Sequence, residues 1–383
     1  MANPGTILPA PEPVIAHHLE GLRAPISEWL EKRRIPPVLL FTGRSGIGKR
    51  TMAYFLAQWI FCEKTGFREG ANTSEGRELS LFGESPSAQP AHGSLRPCGE
   101  CVQCQRALKG SWVDFTEIRA EGSGADEEEK SGKSESLKID QFRKIKESLG
   151  FGSHEGGYRI FLVADADRMT AQAANSVLKI LEEPPKDWIF LLTASDPTLV
   201  LPTVLSRCQT IKLRPFTPET LRALLSASGI MGEKQKLAAT LAGGSWGRAL
   251  AIASDEGALK RQALFDFLER PQGVLGALVD WAAQGDAAFG LLCDQLELLC
   301  LDLIRWSVAE TGSAYEWANF DGARALSNHV DRVLRLKGTR EAAREFWVAR
   351  SERIAKARKQ ALTPVNRKLL IQDILVPWLE VAG

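Results

Sequence analysis

The chain carries near its N-terminus the stretch Val38-Leu39-Leu40-Phe41-Thr42-Gly43-Arg44-Ser45-Gly46-Ile47-Gly48-Lys49-Arg50-Thr51. An apolar run leads into a glycine-rich turn, and a helical pattern follows over Met52–Ile60. This order predicts a buried strand and a phosphate-binding loop whose backbone N–H groups face an anion, with Lys49 reaching the outer phosphates. An ordinary glycine-rich strand–helix turn is the alternative. Three glycines permit the tight turn: Gly43, Gly46 and Gly48.

The residue after the loop lysine departs from the motif. The pattern G-x-x-x-x-G-K-[ST] places a hydroxyl there to hold Mg²⁺, whereas this chain has Arg50, with Thr51 one residue later. One step along a helix turns the side chain by about 100°, so we do not expect Thr51 to replace the missing ligand, although it stays among the candidate nucleotide contacts. The sequence therefore predicts nucleotide binding and argues against hydrolysis.

A second strand pattern ends in a carboxylate. Arg159–Asp165 is apolar up to Asp165, which has the layout of a Walker B strand, where the terminal Asp organises Mg²⁺ and the next residue, normally Glu, polarises the attacking water. Here the next residue is Ala166, which cannot act as a base, and Asp167 is expected to point elsewhere. A simple helix cap is the alternative role for Asp165. A second part of the hydrolytic machinery is thus missing.

Composition limits the class of protein. The 383 residues, 44% hydrophobic and 25% charged, predict a soluble globular protein of two or three domains. Met1–Pro13 lacks the features of a signal sequence, and no apolar run approaches the ~20 residues that span a bilayer, so we expect a cytoplasmic protein without membrane contact. A net charge of +1 argues against an autonomous DNA binder with a strong basic bias.

Four of the seven cysteines form a candidate metal site. Cys98, Cys101 and Cys104 lie in one short segment, and Cys62 lies at the end of the helix that follows the phosphate loop. Four thiolates close a tetrahedral zinc site, and Gly99 suits the turn between the first two cysteines. An iron–sulfur site, which usually includes a further Cys-Pro, and plain buried thiols are the alternatives. The other cysteines are predicted to be core residues: Cys208, Cys293 and Cys300.

The remaining pattern up to residue 215 alternates helices and strands. The predicted elements are a helix at Val14–Arg34, a strand at Trp112–Ile118, a helix at Leu137–Leu149, a helix at Asn175–Glu183, a strand at Trp188–Thr193, a helical turn at Leu199–Leu205 and a strand at Thr210–Leu213. Such alternation predicts an α/β domain with a doubly wound parallel sheet. Glu63–Pro97 and Ala120–Ser136, rich in polar residues and glycine, are predicted surface insertions.

From Thr217 onward the patterns are helical. Short helices are predicted at Pro218–Ser228, Lys234–Ala242 and Gly247–Ala253, a boundary at Gly273–Leu278, and long helices at Phe289–Val308, Ala323–Leu336, Arg340–Leu362 and Val365–Leu379. The expected domains are therefore 1–215, 216–272 and 273–383, with a metal-binding module at about 62–104. A solvated helix face is favoured over a DNA patch for five basic residues: Arg350, Arg353, Lys356, Arg358 and Lys359.

Several motifs together resemble a known family. The segments are Gly43–Lys49, the Cys98/Cys101/Cys104 cluster, Glu155–Arg159, Ala173–Pro185 with its L-E-E-P-P sequence, and Ser206-Arg207-Cys208. They resemble the AAA+ clamp-loader subunits of bacterial DNA polymerase III, most of all the delta-prime type, over about the first two thirds of the chain. The resemblance implies an AAA+ P-loop domain, a small helical lid and an all-helical C-terminal collar for oligomerisation. An unrelated helical module is the alternative for that last region.

The resemblance also implies roles for particular residues. Arg207 corresponds to an arginine finger offered to a neighbouring subunit's ATP, and Ser195 to the sensor-1 position; a surface arginine that caps a helix end is the alternative for Arg207. In Gly243–Arg248, Gly247 stands where the motor subunits have the sensor-2 arginine, and Arg248 lies one place late.

The function implied is that of a stator in a heteropentamer that loads the sliding clamp onto primed DNA, with gamma/tau motor and delta subunits as partners and structural zinc. ATP or ADP would bind weakly or remain unhydrolysed. An active ATPase motor of the same family and a zinc-stabilised DNA-binding module are the alternatives.

Overall fold

The structure is a computed structural model that describes residues 12–32, 34–64, 96–120, 136–147, 152–154, 157–309, 315–361 and 365–381. The chain divides into two compact units, one ending at Phe216 and the next beginning at Thr217. Most of the two predicted insertions, Glu63–Pro97 and Ala120–Ser136, lies outside the described residues. Within the described ranges, no helix has the length and apolar composition needed to cross a membrane.

The first unit is built on a sheet of five parallel strands. In spatial order the sheet runs β2-β3-β4-β1-β5, and every neighbouring pair is parallel. Strands β1 and β4 are buried along their whole length because helices cover both faces of the sheet. The predicted doubly wound sheet is confirmed. The strands are β1 Val38–Thr42, β2 Phe115–Ile118, β3 Arg159–Val163, β4 Trp188–Ala194 and β5 Gln209–Lys212.

Two apolar layers lie on the two faces of this sheet. Successive side chains of a strand point to opposite faces, so Leu39 and Phe41 pack with one layer while Val38 and Leu40 pack with the other. The first layer includes the helices α1 (Glu12–Glu31) and α2 (Lys49–Phe61), and the second includes α5 (Ala171–Glu182) and α6 (Pro202–Leu205). The helices of the unit are α1 Glu12–Glu31, α2 Lys49–Phe61, α3 Val102–Lys109, α4 Arg143–Glu147, α5 Ala171–Glu182 and α6 Pro202–Leu205.

Three predicted elements differ from the structure for local reasons. Within the predicted helix over Leu137–Leu149, the described residues form a 3₁₀ turn at Ile139–Phe142 followed by α4, and residues 148–149 lie outside the described ranges. Strand β2 starts three residues after Trp112, whose indole N–H donates to the Gln103 carbonyl at 2.9 Å and so packs toward α3 instead of extending the sheet. The predicted turn at Leu199–Leu205 is divided before Pro202, because the residue that precedes a proline disfavours helical geometry.

The second unit is entirely helical in its described residues, as predicted. Two of its helices, α10 (Asp255–Glu269) and α11 (Pro271–Ala282), were not predicted, and the predicted boundary at Gly273–Leu278 lies inside α11. The division into a lid at 216–272 and a collar at 273–383 stays a prediction. The helices are α7 Pro218–Ala227, α8 Gly232–Leu241, α9 Trp246–Ala253, α10 Asp255–Glu269, α11 Pro271–Ala282, α12 Asp286–Val308, α13 Ala323–Lys337, α14 Arg340–Gln360 and α15 Arg367–Leu375, with a final 3₁₀ segment Val376–Val381.

The predicted basic face of α14 is only partly solvated. Arg350 is 7% exposed, and its guanidinium donates to the carbonyls of Phe346 and Pro377. Arg358 pairs with Asp294 and Glu297 of α12. The prediction of a solvated face was therefore wrong for these two arginines, because both lie where α14 packs against its neighbours. The other three basic residues are exposed: Arg353, Lys356 and Lys359.

Candidate functional site

The glycine-rich loop between β1 and α2 adopts a tight turn. Gly43, Gly46 and Gly48 have φ angles of 146°, 75° and 97°, values that side chains disfavour. At Gly43 a Cβ atom would lie 2.4 Å from Cδ1 of Ile47 and 3.0 Å from the carbonyl oxygen of Leu213. The turn therefore requires glycine at this position, both for its backbone angle and for its close packing.

Lys49 begins α2 and is 6% exposed. Its ammonium donates to the carbonyls of Gly43 and Arg44, at 2.9 and 3.1 Å, and to the hydroxyl of Ser195 at 2.8 Å. Burial lowers the pKa of Lys49 from its usual value, and the nearby carboxylates of the β3 end oppose that shift. A phosphate that enters the loop must compete with these acceptors for the three ammonium protons.

Arg50, at the position of the missing hydroxyl, is directed toward the edge strand β2. Its Nε and Nη2 atoms contact the two carboxylate oxygens of Glu117 at 2.5 and 2.8 Å, and the Tyr54 hydroxyl donates to the same carboxylate at 2.6 Å. The Arg50 guanidinium is therefore held against Glu117 by one hydrogen bond and a close ion-pair contact. Thr51, one residue further along α2, is partly buried.

The carboxylates after β3 have separate environments. Asp165 has a left-handed φ of 54°, its N–H donates to the Thr193 hydroxyl at 2.9 Å, and burial raises the pKa of its carboxyl. Ala166, the next residue, is 1% exposed and carries only a methyl group. Asp167 accepts the backbone N–H groups of Ser195 and Asp196, at 2.8 and 2.9 Å. Asp167 thus fixes the end of β4, which carries the hydroxyl that contacts Lys49.

The four cysteines of the predicted metal site come together in space. The sulfurs of Cys62, Cys98, Cys101 and Cys104 all lie within 4.8 Å of one another, and those of Cys98 and Cys104 are 3.9 Å apart. Four thiolates around zinc, at the usual Zn–S length, have sulfurs about 3.8 Å apart. The residues thus fit a closed four-thiolate metal site that includes Cys62.

Backbone N–H groups surround the sulfurs of this cluster. The N–H of Cys98 donates to the sulfur of Cys62, that of Cys101 to Cys98, and that of Cys104 to Cys101, at 3.3, 3.3 and 3.4 Å. Burial raises the pKa of the Cys98 and Cys104 thiols, so a bound metal must displace their protons. The turn that presents these donors has Gly99 at a φ of 77°. The segment before α3 is therefore shaped around the sulfurs.

Arg207 lies after α6, and its side chain is 30% exposed. Its Nη1 donates to the Thr203 carbonyl at 2.6 Å, and its Nη2 pairs with Glu182, the last residue of α5. Cys208 beside it donates its S–H to the Val204 carbonyl at 3.2 Å, and burial raises the pKa of that thiol to about 12. Cys208 is only partly buried, so its prediction as a core residue is confirmed only in part, whereas Cys293 and Cys300 are buried as predicted.

The structure brings the loop, Lys49 and Ser195 together, whereas the side chain of Arg207 contacts Thr203, Ser206 and Glu182. The loop, Lys49 and Ser195 meet directly through hydrogen bonds. Sequence reasoning missed three residues that contact the site: His18, whose Nε2 lies 2.6 Å from the Ile47 carbonyl, Glu117 beside Arg50, and Glu182 beside Arg207. Glu182 lies in the L-E-E-P-P sequence, but that motif does not indicate its contact with Arg207, and no local pattern marks His18 or Glu117. Each of the three contacts joins elements distant along the chain.

Arg248, predicted to lie one place late for a sensor-2 arginine, is the third residue of α9 in the second unit. Its guanidinium pairs with Asp294 of α12 at 2.6 Å. Asp294 also pairs with Arg358. Arg248 is thus part of an ion-pair network within the helical unit.

Residues 67–217 match the family described as DNA polymerase III, delta subunit. DNA polymerase III subunit delta' of Bacillus subtilis is 28% identical over 212 residues, which cover 55% of this chain and 52% of that protein. DNA polymerase III subunit gamma/tau of Mycobacterium tuberculosis is 30% identical over 207 residues, 54% of this chain and 29% of that protein. The chain thus spans about half of the first relative and less than a third of the second.

Among solved structures, a DNA polymerase III gamma subunit-related protein of Thermotoga maritima is similar with a TM-score of 0.43 and 18% identity, over 94% of this chain and 99% of that one. This likeness is too weak to support the fold, which rests on the strand order and the loop geometry described above. The sequence matches show that the chain is similar to the delta' and gamma/tau subunits of bacterial DNA polymerase III.

Proposed function

We propose that this chain is a delta-prime-like stator of a replicative clamp loader, which supplies Arg207 in trans to the ATP of a neighbouring motor subunit. The observation that carries the proposal is the contrast between the chain's own P-loop site and Arg207. The P-loop site lacks two hydrolytic groups, whereas Arg207 is partly exposed and held by two defined contacts. The chain therefore acts on a reaction that another subunit carries out.

The geometry around Arg50 and Ala166 supports the absence of hydrolysis. Phosphoryl transfer depends on positioning and on charge stabilisation by Mg²⁺ and its ligands. Arg50 is committed to Glu117, and Ala166 offers only a buried methyl group. Lys49 and the loop retain the capacity to hold phosphates, so ATP or ADP binds weakly or remains unhydrolysed.

The proposal includes a bound zinc ion held by Cys62, Cys98, Cys101 and Cys104. Zinc is favoured over an iron–sulfur cluster because no Cys-Pro follows the three clustered cysteines in the sequence. The role of the zinc is structural, because all four ligands come from the protein and leave no open position for a substrate.

The partners belong to the same proposal. The chain joins gamma/tau motor subunits and a delta subunit in a cytoplasmic heteropentamer, in which its helical C-terminal region forms part of a collar. The complex loads the sliding clamp onto primed DNA.

Reconstitution tests this function. The chain is mixed with the gamma/tau and delta subunits of the same organism, and clamp loading on primed DNA is measured with and without it. We expect a stable complex whose loading depends on the chain, and no ATPase above background from the chain alone. Steady turnover that Lys49→Ala abolishes would identify a motor subunit instead. Tight binding to primed DNA without partners, and no complex, would identify a DNA-binding module.

A further inference from the structure

The contacts of Arg207 single out one acidic residue. Nη2 of the arginine pairs with Glu182, while Nη1 donates to the Thr203 carbonyl at 2.6 Å and to the Ser206 hydroxyl at 3.2 Å. A guanidinium has five N–H donors in a planar fork. These contacts use three of them on two of the nitrogens, so the plane is fixed while further N–H groups remain for a phosphoryl oxygen.

Glu182 has a defined position because of the sequence that follows it. Glu183 precedes Pro184, and a residue before proline disfavours helical geometry. Helix α5 accordingly ends at Glu182, and Glu183 has a ψ of 71°. Glu182 is thus the last side chain whose direction is set by α5.

The two elements that carry the pair are packed together. Val177 and Leu181 of α5 share one buried cluster with Val204 of α6. The helix that ends at Glu182 therefore packs on the helix that precedes Arg207. This packing gives the carboxylate a fixed place from which to hold the guanidinium.

We propose that Glu182 is a positioning residue for Arg207 and sets the direction in which the guanidinium meets a neighbouring subunit's γ-phosphate. This inference rests on the proposed trans-acting function of Arg207. Arginine is a long and flexible side chain, and a misplacement of about 1 Å in a catalytic group can cost on the order of 10²-fold in rate. The backbone carbonyl of Thr203 alone fixes only one end of the fork.

The carboxylate has an opposing effect, because its negative charge offsets part of the positive charge of Arg207. The Glu182 and Arg207 side chains are 45% and 30% exposed, so water screens this Coulomb interaction. Screening by water does not weaken in the same way the geometric constraint that the Glu182 hydrogen bond places on the guanidinium of Arg207. Orientation therefore outweighs charge compensation, and loss of Glu182 slows the reaction.

The adjacent residue supplies a matched control. Glu183 carries the same charge one position later, and among the described residues its side chain makes no hydrogen bond or ion pair with the protein. We compare Glu182→Ala, Glu182→Gln and Glu183→Ala in the reconstituted complex with gamma/tau and delta subunits. The readouts are the clamp-loading rate and the kcat and KM of DNA-stimulated ATPase.

For Glu182→Ala we expect about tenfold slower loading and a lower kcat, with the KM for ATP unchanged. The reason is that a misdirected Arg207 weakens stabilisation of the transferring phosphoryl group and leaves ATP binding unaffected. Glu182→Gln should stay within about twofold of wild type, because its amide oxygen still accepts from Arg207. Glu183→Ala should match wild type. In an Arg207→Ala background, Glu182→Ala should cause no further loss.

The outcomes separate the two proposals. If Arg207→Ala loads clamps at the wild-type rate, the trans-acting function itself fails. If Arg207→Ala is impaired but Glu182→Ala is not, or is faster than wild type, the positioning role is wrong. A further loss from Glu182→Ala in the Arg207→Ala background would also contradict it, because the residue would then act by another route. Thermal melting of each variant verifies that the fold is retained.

Discussion

His18 makes the stability of the first unit depend on pH. It lies on α1, is 3% exposed, and its Nε2 is 2.6 Å from the carbonyl of Ile47 in the phosphate loop. A carbonyl can only accept a hydrogen bond, so Nε2 of His18 must carry a proton. In the neutral ring, Nδ1 is therefore unprotonated. Burial lowers the pKa of His18 from 6.5 to about 4, and neighbouring His17 acts in the same direction.

The size of the effect follows from the two pKa values. In the unfolded chain the His18 ring gains a proton as the pH falls below 6.5, whereas in the folded chain it does so only near pH 4. Stability is therefore full above pH 6.5 and falls between pH 6.5 and 4, because the unfolded state binds more protons in that window. At pH 5, which is about 1.5 units below the unfolded pKa, the loss in unfolding free energy is about 2 kcal/mol, at about 1.36 kcal/mol for each pH unit below that pKa.

Two measurements test this magnitude. Carbon-detected NMR of the five histidines follows the His18 ring directly, and His18→Gln identifies its signal. Urea unfolding at pH 7.5 and 5 then gives the difference between wild type and His18→Gln, whose amide can still donate to Ile47. The buried His329 of the second unit, whose pKa burial lowers to about 3, is present in both proteins and cancels. A His18 signal that titrates near pH 6.5, or equal pH dependence of the two proteins, would refute the reasoning.

Three further predictions concern the loop and the metal site. Metal analysis should find about one zinc per chain, and Cys104→Ser should lower both zinc content and melting temperature, since the thiolates contribute folding energy through the metal. Gly43→Ala should reduce stability by about 1–3 kcal/mol, because its Cβ would lie 2.4 Å from Ile47; urea unfolding measures this. Arg50→Thr restores the loop hydroxyl but should produce no ATPase in a phosphate-release assay, because Ala166 still lacks a base.

Each of these three predictions has a control or an outcome that would contradict it. Gly21 lies on α1 with nothing within 4 Å of an added Cβ, so Gly21→Ala should not share the loss expected at Gly43. Metal-free protein with unchanged stability would contradict the zinc site. Turnover by Arg50→Thr that Lys49→Ala removes would show that the arginine alone blocks hydrolysis.

The sequence predicted the features that local patterns encode. The glycines and Lys49 form a motif, apolar runs mark β1, β3 and β4, and the spacing of Cys98, Cys101 and Cys104 places three sulfurs in one turn. The sulfur of Cys62 lies close to those three sulfurs, which agrees with the predicted four-cysteine site, because α2 ends beside α3.

Contacts between distant elements could not be predicted in the same way. Arg50 meets Glu117 only because β2 lies on the same sheet as the loop strand, and Arg207 meets Glu182 only because α5 packs on α6. Arg350 has the sequence context of an exposed helix, yet it is buried where α14 meets the C-terminal segment. In each case the tertiary arrangement, which no spacing rule contains, decides the partner.

The central claim is that Arg207 acts on the ATP of a neighbouring subunit. Arginine fingers contribute on the order of 10³–10⁵ in rate in GTPases. DNA-stimulated ATPase and clamp loading are therefore measured for complexes that contain wild type, Arg207→Ala, or Arg214→Ala, an exposed arginine beyond β5 that serves as control. The account predicts intact assembly and zinc content for both variants, with a partial loss of ATPase and a larger loss of loading for Arg207→Ala alone. Wild-type loading by the Arg207→Ala complex would contradict it.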